Sequence, residues 1–108
     1  MRRFEFDICI PAAHPALPGH FPGHPIAPGV LLLDEVIAAI RQQSGLEIIR
    51  LQLIKFSSAL LPDEPAHVLF EADAEQATFL ITSQRDNTNV IIAKGKMLMR
   101  LQNNEALD

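Results

Sequence analysis

The residues of this sequence best suited to acid–base chemistry lie in and just after a stretch rich in glycine and proline. His20 stands in the run GHFPGHPIAPG, where Gly and Pro hold the backbone in restricted shapes and display the imidazole at a fixed place. The ordinary pKa of imidazole, about 6.5, suits proton transfer near neutral pH. Asp34 follows fourteen positions later, inside the apolar run VLLLDEVIAAI. A positioned base and acid of this kind are the parts of a proton-transfer site.

Two neighbouring acids, Asp34 and Glu35, interrupt a run that is otherwise apolar nearly all round. Such a run predicts a helix that the protein covers on most sides. An ionised carboxylate is costly there unless it is paired, so burial should raise the pKa of Asp34 and let it donate a proton. Glu35, about 100 degrees round the helix, is the rival acid. The alternatives are that Asp34 only pairs with a polar neighbour and that His20 is only a turn residue.

The start of this helix could stabilise negative charge. Pro28 and Gly29 can open a helix, which we expect to run from Gly29 to Ser44 and to end at Gly45. The first backbone N–H groups, those of Gly29 and Val30, would lack partners within the helix and lie at the positive end of its dipole. An oxygen that gains negative charge would be stabilised there. Gly29 could also serve close packing, which is compatible with that role.

Alternating apolar and polar residues predict the strands that position this helix. The predicted strands cover residues 3–10, a long central strand over 46–56, then 68–74, 77–84 and 90–101. In the last strand the odd positions, Ile91 among them, should form the apolar face, and Lys94, Lys96 and Arg100 should share the other. One strand, one helix and then consecutive strands predict an α+β fold, an antiparallel sheet wrapped around a central helix. The whole chain, residues 1–108, is expected to be one domain.

Composition narrows the classes of protein. The chain has 108 residues, 48% of them apolar, and a net charge of -4, which argues against a nucleic-acid binder. No apolar stretch is long enough for a membrane span, so we expect a cytoplasmic protein. The single cysteine, Cys9, is assigned no role. The spacing of His14, His20 and His24 fits no common zinc pattern, and we expect no metal.

Residues 19–35 resemble the active-site signature of the beta-hydroxyacyl-acyl-carrier-protein dehydratases, which are small hotdog-fold enzymes. The matching positions are His20-Phe21-Pro22, Pro25, Pro28-Gly29-Val30-Leu31 and Asp34. A weaker resemblance lies at Lys55-Phe56 and Leu61-Pro62-Asp63, where the family has a basic-aromatic pair and a Pro-Gly-Asp-like turn. The resemblance implies a hotdog fold and a homodimer, or a dimer-based oligomer, in which two sheets join into one.

The resemblance also implies an activity and roles for the site residues. The substrate would be a 3-hydroxyacyl thioester on acyl carrier protein, converted to the trans-2-enoyl thioester in fatty-acid or polyene-type lipid biosynthesis without a cofactor. His20 would remove the C2 proton, Asp34 would protonate the leaving hydroxyl, and the Gly29 and Val30 amides would polarise the thioester carbonyl. Phe21 and Pro28 would contact the substrate.

One departure from the family keeps other functions open. The family commonly has glutamine one helical turn after the acid, and this chain has Ala38. The alternatives are a non-catalytic hotdog subunit or acyl-binding module, and an acyl thioesterase. Because acyl carrier proteins are acidic, docking of one would need a local basic patch, for which Lys94, Lys96 and Arg100 are the candidates.

Overall fold

The structure is a computed structural model that describes residues 2–11 and 29–100. These residues form strand β1 (Arg2–Ile8), helix α1 (Gly29–Ser44), and strands β2 (Glu47–Phe56), β3 (Ala66–Asp73), β4 (Gln76–Arg85) and β5 (Thr88–Arg100). The predicted order of elements is confirmed, and α1 has the bounds that the sequence indicates. Gly45, with φ 74°, follows the helix, and its N–H donates to the carbonyl of Arg41 at 2.8 Å. Helix α1 is not long and apolar enough to cross a membrane.

The described strands form a five-stranded sheet in the order β1-β3-β4-β5-β2, with every neighbouring pair antiparallel. The predicted α+β class is confirmed. The prediction that β2 is a central strand is wrong, because β2 pairs with β5 and lies at the edge. Strands β3, β4 and β5 are joined by tight turns and pair in sequence, so they occupy the middle of the sheet. The many apolar residues of β2 therefore do not reflect a central position.

The core lies between α1 and one face of the sheet. Strands β3 and β4 turn Val68, Phe70, Phe79 and Ile81 towards this core, and all four are buried. On helix α1, three residues spaced four positions apart are buried, namely Leu32, Val36 and Ile40. The helix thus presents one apolar stripe to its own sheet, whereas its other side stays exposed in the single chain. The expectation that the protein covers the helix on most sides is not met by the described residues of a single chain.

Strand β5 contains a bulge that changes which residues face the core. Ala93 pairs with Ile81, and Ile91 pairs with the next residue of β4, so Ile92 is the extra residue. Ile92 and Ala93 are both buried, and Ile91 is 43% exposed. The predicted inward odd positions are confirmed from Ala93 onwards and are wrong at Ile91, because the bulge reverses the alternation there.

An ion pair fixes the segment that leads from β2 to β3. Arg85 donates from Nε to Glu64 Oε2 at 2.6 Å and from an Nη to Glu64 Oε1 at 2.7 Å, and the Leu61 N–H donates to the same carboxylate at 3.0 Å. The Glu64 side chain is 12% exposed. The Arg85 guanidinium holds the pKa of Glu64 down, at about 2. This pair ties the segment to the end of β4.

Candidate functional site

The N-terminus of α1 is the part of the predicted site that the structure describes most fully. The helix begins at Gly29 as predicted, so the amides of Gly29 and Val30 have no acceptor within the helix. The ring of Phe56, at the end of β2, packs against Gly29. A Cβ on Gly29 would lie 2.8 Å from Cζ of that ring, closer than real Cβ atoms come, and 3.0 Å from Cε1. Glycine is therefore required for this close packing.

Phe56 is a neighbour of the site that reasoning about the strands and the helix did not identify. About half of the side chain is exposed, although its ring tip touches the start of α1. The ring therefore lies beside the amides proposed to receive an anionic oxygen. The signal available in the sequence was the weak resemblance at Lys55-Phe56, which does not say that the aromatic side chain meets the glycine.

Asp34 lies on the side of α1 that faces away from the chain's own sheet. It follows Leu32 by two residues, about 200 degrees round the helix, and it is exposed. The burial predicted for Asp34 is therefore not provided by this single chain. Glu35 is exposed as well, so exposure does not separate the two acids. Ala38, one turn beyond Asp34 on the same side, is also exposed.

Several predicted site residues cannot be placed in this arrangement. His20, Phe21 and Pro28 lie outside the described residues, as does the side chain of Val30. The Gly29 and Val30 amides and Asp34 belong to the same helix, with Asp34 five residues or about 7.5 Å along the helix axis from Gly29. The approach of His20 to Asp34 stays a prediction.

A second titratable cluster lies where β1 pairs with β3. His67 is opposite Asp7; its Nδ1 is 2.8 Å from Asp7 Oδ1, and its Nε2 is 3.0 Å from Glu5 Oε1. These carboxylates, Asp7 first, raise the pKa of His67 above its ordinary value. The sequence did not reveal this cluster because the pairing of β1 with β3 was not predicted. Its residues alternate with the core-facing ones, so it lies on the sheet face opposite α1.

The two edges of the sheet differ in chemistry. Strand β1 exposes the charged residues Arg3, Glu5 and Asp7. Strand β2 exposes large apolar side chains instead, with Ile49, Leu51 and Leu53 exposed by 50%, 39% and 62%. Exposed apolar groups beside unpaired strand backbone are typical of an edge that another strand covers.

Comparison with known proteins identifies relatives of this arrangement. A model of the ApeI-like family, described as ApeI dehydratase, matches residues 1–96. No curated protein matches the chain significantly.

Several solved structures share the fold. An uncharacterized protein from Erwinia carotovora subsp. atroseptica is 24% identical, with a TM-score of 0.77 over 91% of this chain and 82% of that chain. The dehydratase heterocomplex ApeI:P from Xenorhabdus doucetiae is 19% identical, with a TM-score of 0.74 over 92% of this chain and 88% of that chain. The (R)-hydratase from A. caviae involved in PHA biosynthesis is 15% identical, with a TM-score of 0.67 over 94% of this chain and 95% of that chain. Acyl-CoA thioesterases are similar too. The predicted hotdog fold is confirmed.

Proposed function

The chain belongs to the ApeI-like dehydratase family, and from that premise we propose that it removes water from a 3-hydroxyacyl thioester and produces the trans-2-enoyl thioester. The observation that carries the proposal is the family match over residues 1–96, a range that contains every proposed site residue. The start of α1 at Gly29 and the exposed carboxylate of Asp34 on the same helix support the same reaction.

In the proposed reaction three bonds break, C2–H, C3–O and the O–H of Asp34, and three form, N–H on His20, O–H of the leaving water and the second bond of C2=C3. His20 accepts the proton from C2, Asp34 gives a proton to the hydroxyl at C3, and the C3–O bond breaks as water leaves and the C2=C3 double bond forms. The amides of Gly29 and Val30 donate hydrogen bonds to the thioester oxygen, on which negative charge grows as C2 loses its proton. Phe21 and Pro28 line the substrate. A proton passes from His20 to solvent and another returns to Asp34 before the next turnover.

We place this site between two subunits. In the single chain Asp34 faces away from the sheet, so the described strands do not supply the surface that would cover this acid. The exposed apolar edge β2 supports pairing of two sheets there. Each site would then combine His20 of one subunit with Asp34 of the other, in a homodimer or a dimer-based oligomer.

Mixing two inactive variants tests this arrangement. His20→Ala and Asp34→Asn subunits should regain activity after exchange, because a heterodimer has one complete site and random mixing restores about a quarter of all sites. Demonstrated exchange of subunits without any recovery would refute the shared site.

The reaction itself is tested with 3-hydroxyacyl thioesters of several chain lengths, by measuring enoyl formation and free thiol release together. Asp34→Asn should lower kcat by about 10²- to 10⁴-fold, whereas the matched control Glu35→Gln should retain activity. Thiol release without enoyl product would indicate a thioesterase. No turnover of any substrate by the folded protein would indicate the non-catalytic subunit.

We propose that the acyl group is delivered on acyl carrier protein. The support is the family resemblance of the signature. Carrier-linked substrate should then have a lower KM than the same acyl group on a short thiol, and equal KM values for the two would count against carrier recognition.

A further inference from the structure

The face of the sheet turned away from α1 carries a groove with a volume of about 660 Å³. Its floor includes Leu53, Leu69, Leu80 and Ile91, and its rim includes Lys55, Lys94 and Lys96. The register of the strands explains this arrangement. Leu80 pairs with Leu69 on one side and with Lys94 on the other, and Lys96 pairs with Leu53. The bulge at Ile92 adds Ile91 to this face.

The lysines of the groove form a positive cluster that is only partly compensated. The sequence contains three lysines, and all three line this groove. Lys55 lies directly opposite Lys94 across the β2–β5 pair, an arrangement of like charges that is unfavourable by itself. Among residues 2–11 and 29–100, none of the three forms an ion pair with a carboxylate. Glu71 also lines the groove, so the three lysines and this one carboxylate give it a formal net charge of +2. An anion between the lysines would relieve the repulsion.

The floor of the groove favours an apolar body behind that anion. Leu53 and Ile91, which line the same groove, are 62% and 43% exposed, which is high for large apolar side chains. A ligand that carries an anionic head and an apolar chain would neutralise the rim and cover the floor at once. A purely ionic ligand would leave the apolar floor in water.

Size distinguishes a small ligand from a protein partner. The groove spans three rows of side chains along the strands and four strands across, about 14 Å in each direction, or about 200 Å². A stable protein interface needs about 800 Å² from each partner. The groove volume lies instead within the range of about 300–1,000 Å³ that is typical of small-molecule sites.

We propose that this groove binds a small anionic amphiphile, a carboxylate with an aliphatic chain, whose head lies between Lys55, Lys94 and Lys96 and whose chain covers Leu80 and Ile91. The site lies on the opposite face of the sheet from Asp34, so it is separate from the proposed reaction and does not depend on it.

Decanoate is a suitable probe, with calorimetry of the full-length protein as the measurement. Decanoate should bind, whereas acetate, which lacks the chain, and decan-1-ol, which lacks the charge, should bind at least about tenfold more weakly. The double variant Lys94→Gln and Lys96→Gln should weaken decanoate binding about tenfold, and Ile91→Thr a few fold. Arg41→Gln, which removes the same kind of charge from exposed α1, should leave it unchanged. High salt should weaken binding to the wild type more than to the double variant.

Each contrary outcome would overturn the proposal. Equal decanoate affinity in the lysine variant and in Arg41→Gln would place the ligand elsewhere, such as at the acyl site near Asp34. No decanoate binding, together with a raised KM for carrier-linked substrate alone in Lys94→Glu and Lys96→Glu, would assign the lysines to an acidic protein partner. Unchanged thermal unfolding of the variants, whose altered residues are exposed, would show that lost binding is not lost folding.

Discussion

Replacing Glu64 with Gln should destabilise the protein at neutral pH and have progressively less effect in acid. The carboxylate accepts two hydrogen bonds from Arg85 and one from the Leu61 amide, and all three favour its ionised form. Its pKa is about 2 in the folded protein, against an ordinary 4.5. Because the folded pKa is the lower one, the stabilisation is complete above pH 4.5 and is lost as the pH falls towards 2.

The magnitude follows from the size of that change in pKa. The folded pKa lies about 2.5 below the ordinary value, which at about 1.36 kcal/mol per pKa unit sets a ceiling of about 3 kcal/mol. Arg85 is 32% exposed, so solvent weakens the pair, and we expect a loss of about 1–3 kcal/mol at pH 7. Arg85→Gln should cost at least as much, because it leaves the poorly exposed carboxylate of Glu64 without its charged partner.

Urea unfolding of the wild type and Glu64→Gln at pH 7, 5 and 3 measures this effect. The matched control is Glu47→Gln, since Glu47 is 52% exposed and lies 3.9 Å from Arg100, and its loss should be at most about 0.5 kcal/mol. The gap between wild type and Glu64→Gln should narrow from pH 5 to pH 3. A gap that is the same at every pH, or no larger than that of the control, would refute the argument.

Three further predictions concern other sites. The pKa of His67, measured by NMR, should exceed 6.5 and should fall in Asp7→Asn, and an unchanged pKa in the variant would contradict this. The stability that protonated His67 contributes should be present below pH 6.5 and lost as the pH rises through the folded pKa. Gly29→Ala should lower the melting temperature, and adding Phe56→Leu should restore part of it; additive losses would mean that the ring is not the obstacle. Asn87→Val should cost about 1–2 kcal/mol in urea unfolding because φ is 63° there, whereas Asn87→Gly should not.

Local patterns in the sequence predicted the elements well, whereas pairing at a distance escaped them. The bounds of α1 followed from Gly29 and Gly45, which act on their own neighbours in the chain. The place of β2 in the sheet depends on which strands pair, and the residue types of β2 do not indicate its partner. Strict alternation predicted β3 and β4 as strands, and their apolar alternate positions are the buried ones. The face of Ile91 was not, because a bulge adds one residue without changing the residue types around it.

The candidate site divides in the same way. A helix start with free amides could be predicted from Pro28 and Gly29, because the cause lies in the backbone of those positions. The surroundings of Asp34 could not, since an apolar run does not say whether its own sheet or another subunit covers each side. The contact between Phe56 and Gly29 joins residues 27 positions apart and became visible with the structure.

The bulge in β5 also makes one residue of the pair Ile92 and Ala93 dispensable in a way that the rest of the strand is not. Side chains before and after Ile92 are out of phase by one residue, with Val90 half-buried against the core and Ala93 buried. Losing a residue within the strand outside the buried pair Ile92 and Ala93 would turn one part of it inside out. Losing Ile92 would instead restore regular alternation and leave every remaining side chain on its present face, at the cost of one buried isoleucine. A relative whose last strand is one residue shorter should therefore be aligned with its gap at this position.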